Sequence, residues 1–351
     1  MIADTLVSID DGKDDALPTP SRMEFASTAL DACVPLARKL FVADRNTAFA
    51  FSGQVASLVD FAQQLPNLVE YAKHQERPMR YIGDYANSLT SEGQDLPNVG
   101  ILGAMVQFDT GRPKIQELYH MGCFDHATLG RCAVAGSGTE WMDAFLAESV
   151  SARMSPEIGN CRNIANQVCG ALNHRMFRAE RGTASRFTWG GYFENIAFDD
   201  HTRRWQMGPS TLNLSYVVKP DGTHWKPEQE KWFVAYEPGG LFGRILSVSY
   251  SDKGIDVCRN WVIKDVLSLD DLVEPDDTSL FWSKWKPSTV TISFIFEFDS
   301  INTLTMTQTE KIVKNSEIIF QFSPDGWQVG MTEEYLRRKV KEILSALPRR
   351  G

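Results

Sequence analysis

The stretch from Arg38 to Leu65 constrains the fold of this chain more than any other. Arg38-Lys39-Leu40-Phe41-Val42 and Thr47-Ala48-Phe49-Ala50-Phe51 are β-prone runs joined by the turn residues Asp44-Arg45-Asn46, the pattern of a hairpin. Ser52-Gly53 closes the second run, and Val55, Leu58, Val59, Ala62 and Leu65 then recur at the spacing of an amphipathic helix. The order is strand, glycine, helix, so strands and helices belong to one unit.

The same alternation of strand blocks and helices continues. Residues 100–120 form a β-rich block punctuated by Gly111-Arg112-Pro113, and Cys132-Ala133-Val134-Ala135 ends at Gly136-Ser137-Gly138. A helix is expected directly after it, with Trp141, Met142, Phe145, Leu146 and Val150 on one side. Ser155-Pro156-Glu157 supplies the N-cap and first turn of another, whose apolar face carries Ile158, Cys161, Ile164, Ala165, Val168 and Leu172. These two helices are expected to form an antiparallel layer. Strands return at residues 187–193 and 195–198, turning through Asp199-Asp200. Beyond about Tyr216 the character changes: residues 232–236, 245–250, 289–298 and 318–322 read as strands, and residues 332–347 as a terminal helix. Strand blocks separated by paired helices predict sheets covered by helical layers rather than a regular βαβ repeat.

Composition narrows the function classes. The 351 residues are 43% hydrophobic and 23% charged, enough for one large or two medium domains with a sizeable core. A net charge of −9 gives no basic footprint for nucleic acid or an anionic membrane. No apolar run approaches the roughly 20 residues of a membrane span, and Met1-Ile2-Ala3-Asp4 lacks the features of a signal peptide, so a cytoplasmic location is expected. The six cysteines include no C-x-x-C pair. Cys123-x-x-His126 with Cys132 has a loose metal-like spacing but no clear fourth ligand, so neither metal nor cofactor is expected. No nucleophile-elbow serine or H-E-x-x-H pattern accompanies the six histidines, which argues against a serine–histidine triad or a zinc protease. Trp282, Trp285 and Trp327 fit either a binding surface or, more commonly, buried aromatics of a β-rich region.

Two stretches resemble the β-type subunits of the proteasome and HslV, which are N-terminal-nucleophile (Ntn) hydrolases. One is Ala37 through Gly53 with the helix that follows; the other is Ala133-Val134-Ala135-Gly136-Ser137-Gly138, again opening a helix. In that family a lysine on one strand stands fourteen positions before a glycine at the end of the next, and Gly53 follows Lys39 at that spacing. The resemblance covers about residues 1–215. Under it, residues 2–8 look like the family's second strand, with Asp4 at a conserved aspartate's place, and the nucleophile-bearing strand falls before residue 1. Backbone along residues 3–9 is then expected to lack its usual first-strand neighbour.

The resemblance implies a role for each residue. The family's nucleophile is the first residue of the mature chain, and its α-amine, with a reference pKa near 8, serves as base directly or through water. Lys39 would favour the ionised nucleophile, and Asp4 would hold Lys39 charged and in place. Gly53 would present its N–H to the developing oxyanion. Ser137 would hydrogen-bond near the amine and help relay its proton. Each has a plainer alternative: a strand-edge cation for Lys39, a solvated carboxylate for Asp4 and a strand-to-helix turn for Gly53. For Ser137 the alternative is the capping box Ser137-Gly138-Thr139-Glu140. Two departures stand out: Leu6 where the family commonly has arginine, and Arg186 where an aspartate is expected.

The expected fold is α+β, a four-layer αββα sandwich over residues 1–215, followed by a β-rich region over residues 216–351. The expected function is hydrolysis of a peptide or other amide bond by an oligomer of identical chains, with the chain as given inactive for want of its nucleophile. The alternative is a non-catalytic structural or binding subunit.

Overall fold

The computed structural model describes residues 1–4, 36–52, 55–91, 100–109, 112–119, 123–126, 130–134, 142, 145, 161–179, 192–239, 242–251, 254–265, 285–298, 303–312, 317–323 and 326–346. In chain order, β1 (Ile2–Asp4), β2 (Leu36–Arg38), β3 (Leu40–Val42) and β4 (Thr47–Ser52) precede α1 (Val55–Ala72) and α2 (Pro78–Ser91). Next come β5 (Gly100–Asp109), β6 (Arg112–Tyr119), β7 (Cys123–His126), β8 (Gly130–Ala133), α3 (Cys161–Ala179), β9 (Phe193–Asp199) and β10 (Arg204–Met207). The remainder is β11 (Thr211–Asp221), β12 (His224–Glu237), β13 (Phe242–Ser251), β14 (Gly254–Asp265), β15 (Thr289–Glu297), β16 (Thr303–Lys311), β17 (Ile318–Ser323), β18 (Gly326–Met331) and α4 (Glu333–Ala346). The fold is α+β.

In β4 the residues alternate in size rather than polarity, and that pattern organises the N-terminal half. Its sheet has the order β3-β4-β5-β6. Phe49 and Phe51 point to one face, where Phe61, Leu65 and Val69 of α1 and Met79 and Ile82 of α2 close over them. Ala48 and Ala50 point to the other, where with Leu40 they meet Ile196 of β9, Trp205 and Met207 of β10, and Ala3 of β1. The large side chains fill the sheet–helix gap, and the alanines let the second sheet, of order β1-β9-β10, approach. Behind that second sheet, Phe193 packs with Val168, Cys169 and Leu172 of α3, and with Phe145.

A seven-stranded sheet of order β16-β15-β11-β12-β13-β14-β2 dominates the C-terminal half. One face is apolar: Leu212, Leu214, Tyr216, Ile292, Phe294 and Phe296 pack with Val329 and Met331 of β18 and with Tyr335, Leu336, Val340 and Ile343 of α4. The opposite face of β11 and β15 carries buried Thr211, Asn213, Ser215, Thr289, Thr291 and Ser293. Their hydroxyls pair across strands, Thr211 with Thr289 at 2.7 Å, Thr291 with Thr309 at 2.9 Å and Ser293 with Thr307 at 3.0 Å. Helix α3 lies over this polar band. Gly170 makes the close approach possible, since a Cβ there would stand 2.7 Å from Thr291 Cγ2 and 2.9 Å from Thr309 Oγ1.

The structure differs from the sequence reading in several places. The run read as one strand over residues 38–42 is divided at Lys39: 36–38 run parallel to β14, and only 40–42 pair antiparallel with β4. Immediately before the switch, the buried Arg38 side chain is bound to Glu194 of β9, a long-range contact that the local β-prone pattern does not encode. Helix α2 had no counterpart in the reading, although Pro78 at its first turn followed by Met79, Ile82 and Ala86 is a readable helix signal. The boundary drawn at 215/216 falls inside β11, which pairs along its length with β12 and β15. By contrast, Trp285 follows the commoner of its two readings, a core residue of the C-terminal half. Residues 5–9, 136–138, 155–160 and 187–191 lie outside the described residues. No helix among the described residues is long and apolar enough to cross a membrane.

Candidate functional site

Lys39 is the residue at which the chain passes from one sheet to the other. Leu36, Ala37 and Arg38 pair with Ile263, Lys264 and Asp265 of β14. Leu40, Phe41 and Val42 pair with Ala50, Phe49 and Ala48 of β4. The Lys39 carbonyl accepts the N–H of Phe51 at 2.8 Å, so its main chain is already in register with β4. Gly53, two residues beyond Phe51, lies outside the described residues, as does Ser137, which follows β8. The hairpin turn is fixed locally: Asp44 Oδ1 accepts the N–H of Asn46 at 2.7 Å, and Lys73 at the end of α1 reaches Asp44 Oδ2 at 2.8 Å. Burial works against the Asp44 charge, but the hydrogen bonds from Lys73, Asn46 and Thr47 prevail and its pKa falls below the model-peptide 3.8.

Asp4 enters from the other sheet. Strand β1 pairs antiparallel with the start of β9, Ala3 opposite Glu194 and Asp4 opposite Phe193. Ala3 in turn packs against the inter-sheet cluster of Leu40, Ala48, Ala50 and Ile196. Asp4 therefore lies on β1 opposite the start of β9, and Lys39 lies opposite Phe51 near the end of β4.

Glu194, opposite Ala3 in the register, belongs to a buried charge network that sequence reasoning missed. Arg38 is 3% exposed and Glu194 1%. Arg38 Nη2 donates to Glu194 Oε1 at 3.0 Å, Nε lies 3.2 Å from Oε2, and Nη1 approaches the Gly239 carbonyl at 3.5 Å. The Tyr236 phenol of β12 donates to Glu194 Oε1 at 2.5 Å, and its ring stacks on Tyr192 at 4.8 Å. Burial, and then the Glu194 charge, push the Tyr236 hydroxyl well above its usual pKa, so it stays a donor. Gly243 leaves room for the guanidinium, because a Cβ there would stand 3.0 Å from Arg38 Nη2.

The start of β9 is held from its far side by α3. Asn173 satisfies both main-chain groups of Phe193, accepting its N–H at 2.7 Å and donating to its carbonyl at 3.0 Å. Cys169 donates to the same carbonyl at 2.9 Å, and complete burial raises its thiol to about 12. Beside them a cavity of about 20 Å³ is lined by Asn166, Cys169, Asn173, Asn195, Thr291 and Thr309. It has room for one water, and the side-chain oxygens of Asn166 and Asn195 lack hydrogen-bond partners among the described residues. A larger depression of about 580 Å³ opens between α2 and β6, lined by Arg77, Arg80, Lys114 and Glu117 among others, and contains none of the four sequence-predicted residues. Among the described residues no group of three or more His, Cys, Asp or Glu could hold a metal ion. Cys123, His126 and Cys132 fall on the β7–β8 hairpin.

No known protein-family model matches the chain, and no curated protein matches it.

Proposed function

We propose that this chain is the scaffold of a proteasome-type Ntn hydrolase acting on a peptide or other amide bond, built as an αββα sandwich from α1 and α2, the two facing sheets and α3. The observation that carries the reading is the hairpin register: the Lys39 carbonyl bonded to the Phe51 N–H, with β4 packed under α1 on one face and against β9 on the other. In this reading Lys39 stabilises the ionised nucleophile, Asp4 keeps Lys39 charged, Gly53 donates to the oxyanion and Ser137 assists proton relay. The nucleophile is expected on a strand flanking β1. Assembly with copies of itself and a cytoplasmic location belong to the same proposal.

Epoxyketones, which react with an N-terminal nucleophile and its amine together, test it. Protein purified from its natural source should gain one inhibitor mass on an N-terminal Thr, Ser or Cys, and Lys39→Ala should abolish the adduct. A second reading, a non-catalytic subunit of the same fold, is favoured by Leu6 and Arg186 standing where the family has arginine and aspartate. An unlabelled native protein with an intact Met1 would select it.

A further inference from the structure

We propose that the seven-stranded sheet is part of the Lys39 site, with Arg38 and Glu194 as positioning residues that set where the lysine stands. The proposal rests on reading Lys39 as a functional residue. It gives the C-terminal half, for which no resemblance suggests a role, a specific task at the site.

Lys39 sits between β2 and β3, where the chain leaves the seven-stranded sheet for the four-stranded one, so its position is set from both sides. On the four-stranded side the constraint is the Phe51 hydrogen bond. On the seven-stranded side it is Arg38, whose buried guanidinium is gripped by Glu194 and lies near the Gly239 carbonyl. Glu194 is itself fixed by Tyr236 from β12 and, through its main chain, by pairing with Ala3 beside Asp4. Glu194 thus links β1, which bears Asp4, through its main chain, and links Arg38 of β2, the residue before Lys39, with Tyr236 of β12 through its carboxylate. A buried ion pair adds little net stability over an apolar pair of the same volume, whereas its directional bonds specify geometry. That asymmetry fits a positioning device.

Tyr236→Phe in the full chain is the test, because it deletes the hydrogen bond that orients Glu194 while keeping the ring on Tyr192. Lysines are converted to ¹³C-dimethyl-lysine, and the Lys39 resonance is assigned by its absence in Lys39→Arg. The expected result is a displaced Lys39 resonance in a variant whose circular dichroism matches wild type. Tyr335→Phe, which deletes a comparable phenol–carboxylate bond from α4 to Glu310 of β16, should leave that resonance in place. Glu194→Gln provides a second perturbation if Tyr236→Phe folds poorly. A Lys39 resonance unmoved by a folded network variant, or moved equally by Tyr335→Phe, would overturn the proposal. A displaced resonance supports positioning whether or not epoxyketone labelling depends on Lys39, so this proposal and the hydrolase reading fail separately.

Discussion

The Phe51 N–H donates to the Lys39 carbonyl at 2.8 Å, one step beyond the Leu40–Ala50 pair. That bond fixes the lysine against the end of β4 two residues before Gly53. It also marks the point where two sheets share one strand of chain, which makes the surroundings of Lys39 sensitive to packing on both.

The hairpin turn should depend on pH through Asp44. Its lowered carboxyl pKa means that the stabilisation is complete above the unfolded value of 3.8 and is lost as pH falls through the lower folded value. Asp44→Ala should cost about 1 kcal/mol at neutral pH, kept small by the solvent that screens Lys73. Denaturant titrations of wild type and variant should converge in strong acid.

Gly170 should tolerate no side chain. Alanine there would press on Thr291 and Thr309 across the α3–sheet contact, and overpacking of this kind costs about 1–3 kcal/mol. Thermal melts should show the loss, and pairing Gly170→Ala with Thr291→Ser should recover part of it by removing the nearest methyl.

Removing one member of the buried ion pair should be worse than neutralising both. Glu194→Ala leaves the Arg38 cation without its carboxylate and should cost about 3–5 kcal/mol. The double variant Arg38→Met/Glu194→Gln removes both charges and keeps an acceptor for Tyr236, so equilibrium unfolding should find it more stable than Glu194→Ala.

Cys169 should resist thiol reagents while the chain is folded. Its burial and its thiol raised to about 12 leave almost no thiolate at pH 8, whereas Cys123 and Cys161 are exposed. Peptide mass mapping after iodoacetamide treatment should find Cys169 modified only in denaturant.

The hairpin and the helix after it were legible in the sequence because their signals are local: turn residues, a size alternation in Thr47-Ala48-Phe49-Ala50-Phe51 and a helical period from Val55. The break at Lys39 was not. Arg38 reads as an ordinary strand residue unless Glu194, 156 positions away, is known to face it. The alternating Thr289, Thr291 and Ser293 look like a solvent-facing edge of a strand, yet hydroxyl pairing lets α3 cover them. Of the candidate site, the spacing from Lys39 to Gly53 and the place of Asp4 on a strand came from the resemblance, and Gly53 and Ser137 lie outside the described residues. The Arg38–Glu194–Tyr236 network has no local signature, because its members come from three strands far apart in sequence.

The separations of Lys39 Nζ, the Gly53 N–H and Ser137 Oγ, measured by crystallography, test the scaffold reading most directly. The expected result places Lys39 Nζ, the Gly53 N–H and Ser137 Oγ around one pocket, with the ammonium within the roughly 4–6 Å over which a charge shifts a neighbour's protonation. A Lys39 ammonium directed away from both, sharing no pocket with either, would contradict it.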